Sequence, residues 1–189
     1  MLRVVLTSAL AACLAIAQAP PDNDTLQRAI AFHQAGDYNG AIEAYQQFLQ
    51  AHPDAPAGVR SNLGAALAHQ GRYQEAIEQY QLALKAEPAN TKARLNLALA
   101  YAKSSQTQNA IDQLVKVHAE DPADEQSALL LAMCYARLGH YKQVIDVLDP
   151  VNQAHPADLG VAYLLGTALI RDNQVERGQV LVDQILRNG

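Results

Sequence analysis

Tryptophan is absent from the 189 residues, and the aromatic share is only 5%. A chain that is half hydrophobic yet so poor in aromatic rings must build its core from Ala and Leu, with its elements in close approach. Basic residues are also scarce. Fourteen Lys and Arg stand against 19 Asp and Glu, a net charge of −5. Proteins that grip phosphate backbones usually carry a basic excess, so no nucleic acid is expected as a partner. Cysteine occurs twice, at Cys13 and Cys134. Cys13 lies in an apparent targeting segment, which leaves one thiol and no internal disulfide. Cys134, between Met133 and Tyr135, reads as a small buried hydrophobe. No zinc-ligand spacing, His-Glu-x-x-His pattern or Gly-rich phosphate loop occurs. The only Ser-rich spot, Ser104-Ser105, has no nucleophile elbow around it. His52 and His155 each precede a proline at equivalent places, His33 and His69 lie at or near helix ends, and His140 falls in a turn. None of them forms a ligand set. No catalytic residue, cofactor or metal is expected.

What the chain does contain is a repeated unit. Residues 57–90 read AGVRSNLGAALAHQGRYQEAIEQYQLALKAEPAN, 34 residues with two apolar-periodic runs about a turn at Gln70-Gly71-Arg72. Leu63, Gly64, Leu67 and Ala68 share one face of a first helix. Ala76, Ile77, Tyr80, Ala83 and Leu84 share one face of a second. Gly71 can take the positive φ that ends the first helix, and Pro88 stops the second. Pro53, Pro88, Pro122 and Pro156 recur in phase, 35, 34 and 34 residues apart. Two short helices cannot bury both apolar stripes alone, so such units must stack.

The unit resembles the tetratricopeptide repeat (TPR), carried here by Leu63, Gly64, Leu67, Ala76, Tyr80, Ala83 and Pro88. The resemblance covers about residues 22–189. It implies an all-α fold, a right-handed α-solenoid of helix-turn-helix repeats, over a domain at 20–189. The repeats fall at about 22–55, 57–90, 91–124, 125–158 and 159–189, the last incomplete. Several local departures carry expectations. Asp24 is expected to cap the first helix. Ser104-Ser105 replaces the usual Leu-Gly at its corner, which should be looser. Pro150 falls inside a second helix, so a kink or break is expected near Asp149. Ile185 and Leu186 would face a missing neighbour, which suggests a longer protein, a docked partner or self-association through the last repeat.

Residues 1–19 read as a secretory signal peptide. Arg3 is followed by an uncharged run, Val4 to Ala17, and Ala15-Ile16-Ala17 offers the small residues read by a signal peptidase. The run is short for a membrane span, which needs about 20 residues. Leu10-Ala11-Ala12-Cys13 also resembles a bacterial lipobox, which would put a lipid on Cys13. Cleavage, lipidation and an uncleaved anchor all place the domain outside the cytoplasm, in the periplasm or secreted, with membrane contact only through that lipid or signal.

The resemblance implies that first helices line a concave groove that binds a protein or peptide. Counting each repeat from its first residue, the thirteenth is His69, Lys103, Arg137 and Arg171, a basic column in 34-residue register. Beside it stand Leu95, Leu99, Leu129, Met133 and Tyr163 at the fifth and ninth places. These residues form the candidate peptide-binding groove. The same cations also suit a helix C-terminus, where they offset the dipole by about 0.3–1 kcal/mol. Both readings stay open on sequence. Some TPR domains hold a C-terminal carboxylate with five clamp residues; Asn62 and Lys92 match, but Leu26, Ile30 and Asn96 do not. The function implied is a non-enzymatic protein-interaction scaffold, in envelope or secretion-related assembly. The alternative is the docking or regulatory portion of a larger enzyme or transport-complex subunit.

Overall fold

In the computed structural model, which describes residues 22–188, the chain is an α-solenoid of ten helices with no strand among the described residues. Five first helices, α1 (Asp22–Gln34), α3 (Ala57–His69), α5 (Thr91–Lys103), α7 (Glu125–Arg137) and α9 (Leu159–Arg171), alternate with five second helices. These are α2 (Tyr38–Ala51), α4 (Tyr73–Ala86), α6 (Thr107–Glu120), α8 (Tyr141–Ala154) and α10 (Val175–Asn188). Each helix packs against its neighbours in the chain. In addition α3 touches α5 and α7 touches α9, whereas no two second helices come into comparable contact among the described residues. The first helices are therefore the more closely spaced layer, the inner one of the array.

The elements form where local chemistry directs them. Asp37, Asn90, Asp124 and Asp158 cap α2, α5, α7 and α9, each accepting from a backbone N–H in the first turn. Asp158 accepts two, from Gly160 at 2.7 Å and Val161 at 2.9 Å. The Val161 N–H is the chief reason its carboxyl is held below the usual carboxylate range. Arg60 and Arg94, both fourth in their repeats, reach back to the carbonyls of Pro53 and Pro88 and stitch adjacent repeats together.

All five intra-repeat corners share one geometry. A residue with positive φ occupies each of them: Gly36 (77°), Gly71 (73°), Ser105 (63°), Gly139 (74°) and Asn173 (61°). The N–H that follows returns to the carbonyl five residues back: Asp37 to Phe32 at 2.9 Å, Arg72 to Leu67 at 3.0 Å, Gln106 to Tyr101 at 2.8 Å. The Ser104-Ser105 corner is thus no looser than the others, contrary to expectation. It closes identically, and Ser105 carries the cost of the left-handed region, about 1–2 kcal/mol for a residue with a Cβ. Ser105→Gly is expected to raise stability by about 0.5–1 kcal/mol once the greater freedom of unfolded Gly is deducted. Urea unfolding of the two proteins checks it; an unchanged midpoint would mean that Ser105 is unstrained.

Three other local expectations are corrected. α1 begins at Asp22, so Asp24 lies in its first turn rather than capping it. There a carboxylate still faces the positive end of the helix dipole. α8 runs unbroken from Tyr141 to Ala154 through Pro150. Asp146, whose carbonyl loses its donor, and Pro150 both lie on the exposed side, where water can serve that carbonyl, while Val144, Leu148 and Val151 stay buried. Ile185 packs on the apolar cluster of the last two repeats instead of facing open space. Leu186 does stand 78% exposed.

The core forms two continuous clusters that meet in α7. Leu131 and Cys134 belong to the first, whereas Ala128 and Ala132 belong to the second. Cys134 is buried, and burial raises its thiol pKa, as suits a packing residue. No described helix is long and apolar enough to cross a membrane. The expected signal segment and Cys13 lie outside the described residues.

Candidate functional site

The four cations of the thirteenth places end their helices on the inner layer. His69, Lys103, Arg137 and Arg171 are all exposed, each the last residue of α3, α5, α7 or α9. Their neighbours divide into two kinds. Leu95, Leu99 and Leu129 are half-buried, and Leu95 and Leu129 pack on the core clusters. Met133 and Tyr163 are 57% and 67% exposed, far beyond what packing requires. These leucines of the candidate groove thus also serve the core, while Met133 and Tyr163 stand clear.

A cavity of about 290 Å³ opens between α3 and α5. His69 and Lys103 stand at its edge, Leu99 and Ala68 form apolar wall, and Tyr73 and Asn96 add polar atoms. Sequence reasoning placed three of these residues together through register. It missed Tyr73, which reaches the cavity from the start of α4.

At Arg137 the helix-end reading of the basic column has a direct contact. The Arg137 Nη1 donates to the carbonyl oxygen of Ala102 at 3.1 Å, near the C-terminus of α5. A charged bond of this kind stabilises by about 1.5–3 kcal/mol when well shielded, less at an exposed site. The bond links α7 to the end of α5, next to Lys103 in sequence. Arg137 has further donors on its fork for a ligand.

Where α1, α2 and α3 meet, two histidines contact two tyrosines. His69 stacks on Tyr38 with ring centroids 4.3 Å apart and planes 2° from parallel. His33 meets Tyr38, Tyr45 and His69 edge-on at 5.6, 6.1 and 6.4 Å. A second cavity, about 190 Å³, is lined by Ile30, His33, Gln34, Tyr45 and Asn62. Burial, and secondarily the His69 imidazole, hold the His33 pKa below its ordinary 6.5. Burial raises that of Tyr45, against the bond from Asn62. A histidine whose folded pKa is depressed binds fewer protons than the unfolded chain just below pH 6.5. Its contribution is complete above that pH and is lost as pH falls toward the folded value. Wild type is therefore expected to lose melting temperature between pH 7 and 5 more steeply than His33→Asn. Parallel slopes in scanning calorimetry would show that His33 does not titrate against the fold.

No group of three or more His, Cys, Asp or Glu suited to a metal occurs among the described residues.

Residues 26–91 match a family model described as tetratricopeptide repeat, and residues 69–151 match one described as anaphase-promoting complex, cyclosome, subunit 3. A small glutamine-rich tetratricopeptide repeat-containing protein 2 from Mycosarcoma maydis is 41% identical over 63 residues. That stretch is 33% of this chain but only 18% of the relative, so the chain spans under a fifth of the relative's length. Among solved structures, a MamA protein superposes with a TM-score of 0.80 at 20% identity, over 88% of this chain and 91% of that one. MamA from Desulfovibrio magneticus gives 0.79 at 19%, covering 88% and 94%. A tetratricopeptide repeat protein from Parabacteroides merdae gives 0.79 at 18%, covering 88% and 66%. At such identities the structural likeness is one of fold. Residues 26–91 thus carry the tetratricopeptide-repeat match, and the helix order and solenoid of the described residues agree with it.

Proposed function

We propose that this tetratricopeptide-repeat array is a non-enzymatic scaffold that captures a protein segment in the groove lined by α3, α5, α7 and α9, outside the cytoplasm. The observation that carries the reading is the exposure of Met133 and Tyr163 on the inner layer, whose helices end in Arg137 and Arg171. Large apolar side chains left open on such a face, with basic residues on the same helices, are the composition of an interaction surface. Fold alone names no partner.

Met133→Ala/Tyr163→Ala is expected to keep the far-UV spectrum and melting temperature while losing about tenfold or more in partner retention. A pull-down from envelope extract against the wild-type chain checks this. Equal retention by the folded variant would move docking away from the groove. The extracytoplasmic address rests on residues 1–19, and N-terminal sequencing of the mature protein tests it: a start at Gln18 supports secretion, and a retained Met1 opposes cleavage.

A second reading, a docking subunit of a larger assembly, is favoured by the exposed Val180 (62%) and Leu186 on α10. The match of residues 69–151 to a model named for a complex subunit also supports it.

A further inference from the structure

Beyond α1, where Asp22 and Asp24 stand against Arg28, charge is sorted between the two helix layers. α3, α5, α7 and α9 carry six cations (Arg60, Lys92, Arg94, Lys103, Arg137 and Arg171) against a single carboxylate, Glu125. α2, α4, α6, α8 and α10 carry nine carboxylates against five cations. A protein of net charge −5 thus presents a positive inner layer. Arg60 and Arg94 are occupied with the Pro53 and Pro88 carbonyls, but Lys92, Lys103 and Arg171 are exposed, and Arg137 spends one nitrogen on Ala102. Helix capping accounts for a cation at each C-terminus. It does not account for the near absence of carboxylates along the rest of these helices. An acidic outer layer also repels an acidic ligand everywhere but the groove, which focuses approach.

Resting on the groove as the docking face, we propose that its occupant is an acidic segment with carboxylates about three residues apart, interleaved with apolar side chains. The spacing follows from the stacking. Packed helices lie about 10 Å apart; α7 packs on α9, and Arg137 of α7 reaches the Ala102 carbonyl of α5, so Lys103, Arg137 and Arg171 form a column with steps near that length. An extended chain advances about 3.3 Å per residue, so a carboxylate at every third residue meets one cation per repeat. Intervening apolar side chains meet Leu99 at the cavity mouth, then Met133 and Tyr163. Carboxylates can take two-pronged bonds from the guanidinium groups of Arg137 and Arg171.

The test is selection from a displayed library of random decapeptides (about 33 Å extended) on the full chain. Lys103→Ala/Arg137→Ala/Arg171→Ala and Met133→Ala/Tyr163→Ala run in parallel, each checked for its melting temperature. Recovered sequences rich in Asp or Glu at three-residue spacing, lost by both variants, are expected. A synthetic winner should weaken about tenfold on the triple variant and again on raising salt to about 0.5 M, where screening acts within a few ångströms. Neutral or basic winners lost by the Met133/Tyr163 variant would overturn the acidic class and leave the groove standing. Winners indifferent to both variants would overturn the groove itself. No enrichment over a blank surface would overturn the inference. Equal, column-dependent binding of a single-stranded oligonucleotide would reduce it to general anion attraction.

Discussion

Tyr80→Ala is expected to lower stability by about 3–5 kcal/mol, the usual cost of deleting a buried ring. Tyr80 is 2% exposed, and its ring lies so close to α3 that a Cβ added at Gly64 would come within 2.8 Å of it. Gly64 and Tyr80 are thus one packing unit: the missing side chain on α3 makes room for the ring on α4. Removal leaves a void that α3, held by α5 on its other side, cannot close. The same ring lines the cavity between α3 and α5, so the void would merge with that cavity. In a stacked array each repeat holds only its neighbours, and a weak second repeat uncouples the first from the rest. The unfolding transition should therefore broaden as well as shift. Tyr80→Leu installs the residue found at Leu114 and Leu148 in register and should recover much of the loss. Urea denaturation followed by circular dichroism decides between these outcomes. A Tyr80→Ala midpoint within about 1 kcal/mol of wild type would mean that the repeat collapses onto the void.

The solenoid was legible because its signal is phase, repeated five times. Each proline marks the end of a second helix and each Leu-Gly or Leu-Ala pair a fixed place within a first helix, so one degenerate unit cannot shift the whole. The misreadings came where a local rule was applied without its surroundings. Pro150 breaks a helix in isolation, but its lost bond falls on the solvent side while three buried residues keep α8 continuous. Ser105 carries a Cβ, yet the packing on both sides of the corner imposes the glycine conformation. The placement of the candidate site's cations at the ends of first helices was legible to the same degree. Lys103, Arg137 and Arg171 share a register, and register alone places them on one layer. The pairing of Tyr38 with His69 has no such signal, because it joins the start of one second helix to the end of the following first helix. The reach of Arg137 to the Ala102 carbonyl likewise depends on a side-chain path across repeats. Charge sorting between layers could have been counted from the sequence once helices were assigned, and it was overlooked because the total charge points the other way.

Gly178 separates the two kinds of reasoning most sharply. It stands where the other repeats have Ala41, Ala76, Ala110 and Val144, so a pattern argument makes Gly178→Ala a stabilising return to the repeat norm. Helix propensity agrees, by about 1 kcal/mol. The packing predicts the reverse. A Cβ at Gly178 would lie 2.6 Å from Ile170 Cγ1, 2.9 Å from the Gly166 carbonyl oxygen and 3.2 Å from the Ile170 backbone nitrogen. Two of these three are backbone atoms of α9 and cannot swing aside. α9 and α10 have drawn together because both carry glycine at their crossing, Gly166 and Gly178. Overpacking of this kind costs about 1–3 kcal/mol for small intrusions and more for larger ones. Gly178→Ala should therefore be net destabilising, and Gly178→Val, the residue of the preceding repeat, should lift α10 off α9. Since α10 packs chiefly on α9, its release exposes Leu165 and Leu169 and opens the last helix to protease, while the first three repeats keep their exchange protection. Limited proteolysis with mass spectrometry reads this directly. Wild type should resist cleavage in α10, Gly178→Ala should be cut faster, and Gly178→Val fastest. A Gly178→Ala protein more resistant than wild type would show that α9 and α10 can separate to accept the methyl group, and that repeat consensus governs this crossing rather than backbone contact.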